Sequence, residues 1–100
     1  MTTSKQELQV LNFKYEYRRW RSWFSYYISG LGLEDHLTEK EVPTEAGAKQ
    51  KFLKDRNKVM ALLYRTISLK YTGLIEGLET PVAVLKALDN NFNKRKFEEI

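Results

Sequence analysis

The stretch from Tyr15 to Leu37 constrains the fold more than any other part of this chain, because it carries both tryptophans. Its apolar side chains recur at helical spacing and fall within an arc of about 140°. They are Tyr17, Trp20, Trp23, Phe24, Tyr27, Ile28 and Leu31, and the opposite side carries Arg18, Arg19, Ser22, Ser25 and Ser29. The pattern predicts an amphipathic helix from about Lys14 or Tyr15 to Ser29, ended by Gly30 and Gly32.

The aromatic side of this helix has two interpretations, a core face or a ligand-binding aromatic box. Trp20 lies near the middle of the apolar arc, where an aromatic side chain can bury ~150 to 250 Å². We therefore favour the core face. Tyr26 lies off the arc beside Arg19, so we expect it to be exposed, or covered by another element or another chain.

The remaining elements follow from apolar spacing and turn residues. Residues 1–13 predict an extended arm in which Leu8, Val10, Leu11 and Phe13 tuck against the first helix. Residues 33–37 are predicted to form a single turn, and residues 38–47 are predicted to form an exposed loop. A long second helix is expected from Thr44 or Glu45 to Lys70, and a third helix begins at Thr80-Pro81. Residues 93–100 predict a polar tail.

Together these elements predict an all-α fold, a compact bundle of about four to six helices with an extended N-terminal arm. One hundred residues make a single domain over 1–100, with a helical core over residues 14–92. The predicted core residues are Tyr17, Trp20, Phe24, Ile28, Leu31, Val59, Leu63, Ile67, Leu85 and Leu88.

Two polar residues occupy unusual positions in this pattern. Arg56 falls on the apolar side of the second helix. Either its stem lies along the core edge with the guanidinium paired to Asp35 or Glu34, which we prefer, or the helix bends there. His36 follows a glycine-rich turn, and a lone histidine at such a place is typical of a surface or capping residue.

Composition and charge exclude several classes of function. The chain has no cysteine, and therefore no disulfide, thiolate zinc site or cysteine nucleophile. It has no apolar run that could span a bilayer and no signal-peptide pattern, so we expect a cytoplasmic or nuclear protein. A net charge of +4 favours only a mild attraction to polyanions.

The inventory of catalytic groups is small. His36 is the only histidine, so we expect neither a catalytic triad nor a histidine-rich metal site within one chain. The acidic residues between Glu34 and Glu45 show no spacing that would bring two carboxylates to one substrate, and no glycine-rich phosphate loop is present. We expect no enzyme activity, no cofactor, no metal and no small-molecule substrate.

The run Arg18-Arg19-Trp20-Arg21 permits two other interpretations. Basic residues interleaved with aromatic ones can hold single-stranded nucleic acid, and the same composition on a helix can lie on an anionic membrane. The periodicity argues against both, because it assigns Trp20 to the core. Only Arg18, Arg19, Arg21 and Tyr26 then remain for outside partners.

The order of motifs resembles a known family. Leu11-Asn12, then Tyr17-x-x-Trp20, then Gly30-Leu-Gly-Leu-x-Asp-His-Leu37, is similar to the start of the Gag polyprotein of copia-type long-terminal-repeat retrotransposons. Phe52 to Tyr64, Ile67-Ser-Leu69 and the stretch from Thr80 to Phe92 continue the pattern, which covers about residues 11–92. Leu85 stands where that family usually has a second tryptophan, and Glu34 where it often has an aromatic residue. The family's C-terminal capsid domain and zinc knuckle are not in these residues.

The resemblance implies the N-terminal domain of a capsid protein, with residues 93–100 leading to the C-terminal capsid domain. Such a domain assembles into hexameric and pentameric rings of a virus-like particle that packages the element's RNA, and it has no catalytic residue. We expect contacts with other copies, or with RNA, on the outer face of the first helix, through Arg18, Arg19, Ser22, Tyr26 and Ser29. The alternative is a small basic helical module that binds nucleic acid. A membrane-surface protein ranks third.

Overall fold

The computed structural model describes residues 8–92, and this part of the chain is built from helices. Three α-helices follow one another, α1 (Tyr17–Gly30), α2 (Ala46–Arg65) and α3 (Pro81–Phe92), and 3₁₀ turns occupy Lys14–Glu16, Glu34–Leu37 and Leu69–Leu74. Residues 8–92 contain no β-strand, only an isolated parallel bridge between Leu11 and Ile67. The predicted all-α class is confirmed. The first seven residues of the predicted arm and the predicted tail 93–100 lie outside the described residues.

All three α-helices contribute to one buried core. Trp20 and Phe24 of α1 stack with their ring centroids 5.1 Å apart. The aromatic row of α1 extends through Tyr17, whose ring lies 5.3 Å from that of Phe92 in α3. Nine of the ten residues predicted to form the core are buried, namely Tyr17, Trp20, Phe24, Ile28, Val59, Leu63, Ile67, Leu85 and Leu88.

Leu31 is the exception, and its predicted core position is wrong. Its side chain is 50% exposed, whereas Leu33 is buried. The helix ends one residue before Leu31, and Gly32 reverses the chain with a φ of +76°. The Leu33 amide donates to the Ile28 carbonyl and the Gly32 amide to the Ser29 carbonyl, which together form a Schellman motif. Helical spacing therefore no longer predicts the direction of side chains after Gly30, and Leu33, not Leu31, occupies the core position.

The second helix starts as predicted but ends five residues earlier than Lys70. The Glu45 carboxylate accepts a hydrogen bond from the Ala48 amide at 2.8 Å and caps the N-terminus of α2. At the other end Thr66 is buried, and its hydroxyl donates to the Leu62 carbonyl at 2.7 Å. The chain then leaves the helix, and Ile67 enters the core in an extended segment.

The N-terminal arm packs differently from the prediction. Leu11 is fully buried, but Val10 is 42% and Phe13 47% exposed. The Leu11 amide donates to the Thr66 carbonyl at 2.7 Å, and the Ser68 amide donates to the Leu11 carbonyl at 2.9 Å. Leu11 thus attaches the arm to the segment after α2, and of the four apolar residues expected to tuck in, two are exposed.

The third helix begins where Thr80-Pro81 predicted it. The Thr80 hydroxyl accepts a hydrogen bond from the Ala83 amide at 3.2 Å, and Pro81 occupies the first helical position, where a missing N–H is harmless.

The prediction for His36 is wrong. This residue is only 8% exposed, and its ring lies 4.7 Å from that of Phe52 in α2. The short turn directs the imidazole inward. The spacing of apolar residues in the sequence does not predict this burial.

We predict that Gly32→Ala lowers the free energy of unfolding by about 1 to 2 kcal/mol, because alanine resists the left-handed conformation. Gly30→Ala is the matched control, since a methyl group added at either glycine meets nothing within 4 Å and only Gly32 has a positive φ. The control should leave stability unchanged or raise it by about 0.5 to 1 kcal/mol. Urea denaturation measures both, and equal effects would contradict the assigned turn.

We also predict that Leu11→Ala destabilises the fold by about 2 to 5 kcal/mol, because a fully buried leucine leaves a cavity. Val10→Ala, at the exposed neighbouring position, should change stability by no more than about 0.5 kcal/mol. Thermal unfolding of the two variants checks whether Leu11 attaches the arm. A Leu11 variant as stable as the Val10 variant would show that the arm is dispensable.

Candidate functional site

The five residues predicted to make outside contacts lie together on one face of α1. Arg18, Arg19, Ser22, Tyr26 and Ser29 are all exposed, and the Tyr26 ring is 80% exposed. At helical spacing they span an arc of about 100°, directed away from the buried stripe of the same helix. We call these five residues the outer face. The structure thus leaves the outer face free of the domain's own core.

Arg21 was also predicted to be available to outside partners, but its side chain contacts residues of its own domain. One terminal nitrogen of its guanidinium donates to the Ser25 hydroxyl at 2.8 Å. Its Nε lies 3.8 Å from the Asp89 carboxylate of α3. Arg21 therefore bridges two elements of its own domain, and the basic groups left on the outer face are Arg18 and Arg19.

Asp89 also holds the start of α1. The Tyr17 hydroxyl donates a hydrogen bond to Asp89 Oδ1, the same oxygen that faces Arg21. Burial, and next the hydrogen bond and negative charge of Asp89, raise the pKa of Tyr17 well above its ordinary value. The buried face of α1 is thereby fastened to α3, which fixes the direction in which the outer face points.

The outer face has a definite chemical character. Its two guanidinium groups can form bidentate hydrogen bonds with carboxylates or phosphates. Tyr26 offers an aromatic surface and a hydroxyl, a combination enriched at protein interfaces. Ser22 and Ser29 are small and let another backbone approach closely. This arrangement suits a polar, partly aromatic contact with another macromolecule.

A second exposed group was not predicted from the sequence. Phe13 and Tyr15 stack with centroids 5.4 Å apart and an interplanar angle of 8°, and the Lys70 ammonium lies 4.5 Å from the Phe13 centroid. Tyr15 is 81% exposed. The two rings are two residues apart, so the sequence could have suggested the pair. Lys70 could not have been predicted, because it lies near Phe13 only once the bridge between Leu11 and Ile67 brings the two segments together.

Residues 8–92 show neither a metal-binding cluster nor a membrane-spanning helix. This part of the chain holds no group of three or more histidine, cysteine or acidic residues that could bind a metal. None of its helices has the length and apolarity needed to cross a lipid bilayer.

Comparisons of the chain with protein-family models, with curated proteins and with solved structures gave no match. The retrotransposon resemblance therefore rests on the sequence motifs alone.

The buried Tyr17 hydroxyl predicts a pH dependence of stability. Because its pKa in the folded chain lies above the ordinary value of 10.0, proton loss at high pH favours the unfolded chain. Its contribution is fully present below about pH 10 and is lost as the pH rises further, by up to about 1.4 kcal/mol per pH unit. Tyr17→Phe should make stability decline less steeply above pH 10.

The measurement is urea denaturation at a series of pH values. Tyr26→Phe, which changes an exposed tyrosine of the same helix, is the control and should keep the wild-type profile. A Tyr17→Phe profile parallel to that of the wild type above pH 10 would show that burial and the Asp89 contact do not raise the pKa of this phenol.

Proposed function

We propose that this chain is a structural self-assembly module, the N-terminal domain of a retrotransposon Gag capsid protein or of a host protein derived from one. The observation that carries the proposal is the outer face of α1, centred on a tyrosine that is 80% exposed and contributes nothing to its own core. The all-α fold and the motif resemblance support it. We place assembly in the cytoplasm or the nucleus.

The proposed mechanism is geometric. In a ring, each copy presents one surface to a different surface of the next copy, and the rotation between copies closes the ring. The outer face would be one of these surfaces, with Tyr26 as its anchor and Arg18 and Arg19 as its charged part. Exposed carboxylates of opposite charge are available on Glu34 and Glu41. Each contact is small, so a single pair of copies binds weakly and the ring gains strength from many contacts.

A second candidate function is binding of single-stranded nucleic acid, favoured by one observation. The exposed stack of Phe13 and Tyr15, with Lys70 beside it, combines aromatic faces for bases with a positive charge for phosphate. Arg21, however, is engaged with Ser25 and Asp89 within the domain. RNA would then reach the domain mainly as the cargo of the assembled particle.

We predict that Tyr26→Ala weakens self-association by about tenfold or more, because a central exposed aromatic is the kind of residue that dominates interfaces. Tyr15→Ala is the matched control, since Tyr15 is as exposed as Tyr26 but lies outside the outer face. Sedimentation velocity over a range of concentrations measures both. The wild type should be a monomer when dilute and form larger species when concentrated.

Three results would count against the proposal. They are a tight discrete dimer in dilute solution, a wild type that never associates, and equal losses from the two tyrosine variants. Arg19→Ala and Arg65→Ala form a second matched pair, because both arginines are exposed and only Arg19 belongs to the outer face. RNA affinity that falls steeply with salt and disappears when Arg18 and Arg19 are neutralised, without any self-association, would favour the nucleic-acid function.

A further inference from the structure

A cavity of about 330 Å³ opens at the N-terminal end of α3, away from the outer face. Its walls come from the turn Glu34–Leu37, the segment 38–40 that follows it, the middle of α2 and the N-terminal half of α3. The volume lies at the lower end of the range found for small-molecule sites, which is roughly 300 to 1,000 Å³. Phe52 and Pro81 supply apolar wall. The charged and polar part of the lining holds nitrogen donors and two carboxylates, namely His36, Lys40, Arg56 and Lys86 with Asp35 and Glu39.

The first donor is His36. More than nine-tenths of this residue is buried, and it lines the cavity with its ring against Phe52. Within residues 8–92 neither ring nitrogen makes a hydrogen bond with a protein group. Buried polar side chains normally have partners. The imidazole nitrogens retain accessible surface, and the place of the ring in the wall of a cavity leaves them free to bond with a group that enters it.

The second donor is Arg56. Its Nε is buried and has no hydrogen-bond partner among the described residues, although a guanidinium is charged at any physiological pH. The sequence predicted that Asp35 or Glu34 would pair with it, but the described ion pairs include no such pair. Asp35 lies 3.5 Å from the Lys40 ammonium instead.

The other acids near the cavity are also paired with lysines. Glu39 lies 2.9 Å from Lys86, and Asp55 lies 2.9 Å from Lys51. The charge of Arg56 is therefore left without a matching carboxylate in the described part of the chain. An anion in the cavity would supply that match.

The third donor is the start of α3. Thr80 already accepts hydrogen bonds from the Ala83 amide through its hydroxyl and from the Val84 amide through its carbonyl. Pro81 has no amide hydrogen, so the amide of Val82, which lines the cavity, is the one left in this first turn. The N-terminus of a helix carries partial positive charge, and its free amides favour anions.

We propose that this cavity binds a small oxyanion, the phosphate or carboxylate group of a low-molecular-weight ligand, through the Arg56 guanidinium, the His36 imidazole and the Val82 amide. Lys40 and Lys86 at the rim add positive potential. The proposal is independent of self-assembly, because none of these residues belongs to the outer face.

The single histidine provides a clean test by NMR, since the imidazole signals come from His36 alone. The wild-type chain is titrated with sodium phosphate, and separately with sodium acetate, at ionic strength held constant with sodium chloride. We expect a saturable shift of the imidazole signals with a dissociation constant on the order of 1 mM or tighter for at least one anion. Tighter phosphate binding would indicate a phosphorylated ligand, and tighter acetate binding a carboxylate.

The pKa of His36 provides a second reading. In the free chain burial lowers this pKa from its ordinary value of 6.5, more than Asp55 and Asp35 raise it, while Arg56 and Lys40 lower it further. Glu39 and Lys86, which also line the cavity, form a pair of opposite charges. A bound anion favours the protonated imidazole, so the pKa should rise on saturation and affinity should increase as the pH falls.

Arg56→Gln should weaken anion binding by about tenfold or more, because it removes a charged hydrogen-bond donor. Arg65→Gln is the matched control, with the same change at an exposed position of α2 outside the cavity, and should stay within about twofold of the wild type. If Arg56→Gln does not fold, Arg56→Lys retains the charge, loses the planar fork and should bind severalfold more weakly. No saturable shift with either anion, or equal losses from the variants at Arg56 and Arg65, would overturn the proposal.

Discussion

The buried aromatic row of α1 is the interaction on which the rest of this structure depends. Trp20 and Phe24 lie at its centre, and the helices α2 and α3 add Val59, Leu63, Val84 and Leu88 around them. Burying one large aromatic side chain contributes roughly 4 to 6 kcal/mol at most, comparable with the whole stability of a small domain. A domain of this size therefore commits one full side of its first helix to the core.

That commitment determines which surface remains for function. One side of α1 is taken by the core, and Arg21 and Tyr17 are fastened to Asp89 of α3. The outer face is held on a rigid helix, which lowers the entropy lost when it meets a partner. The cavity beside α3 lies in a different part of the fold and leaves room for a ligand without disturbing that face.

Helical periodicity predicted much of this fold and of its candidate site. It placed eight core residues within the helices and all five outer-face residues on the correct sides, because these positions depend on local geometry alone. Ile67 is buried as predicted, but from an extended segment after α2. It failed at Leu31, where Gly32 reverses the chain within two residues. It also failed at the end of α2, where Leu11 from a distant part of the sequence bonds to Thr66.

The burial of His36 was beyond sequence reasoning for a related reason. The imidazole is covered by Phe52, a residue of another helix, and only the folded chain brings the two rings together. The same holds for Arg56, whose expected partner Asp35 pairs with Lys40. Contacts within one helix can be predicted from spacing. Contacts between elements determine which partners the polar side chains meet. These contacts can be known only from the folded chain.

Electron microscopy of the concentrated chain tests the central claim most directly, because it shows whether contacts close into a defined assembly. We expect rings, tubes or particles from the wild type and from Tyr15→Ala, and their loss in Tyr26→Ala. Uniformly dispersed monomers from the wild type at every concentration, or assemblies that persist unchanged in Tyr26→Ala, would contradict the assignment of self-assembly to the outer face of α1.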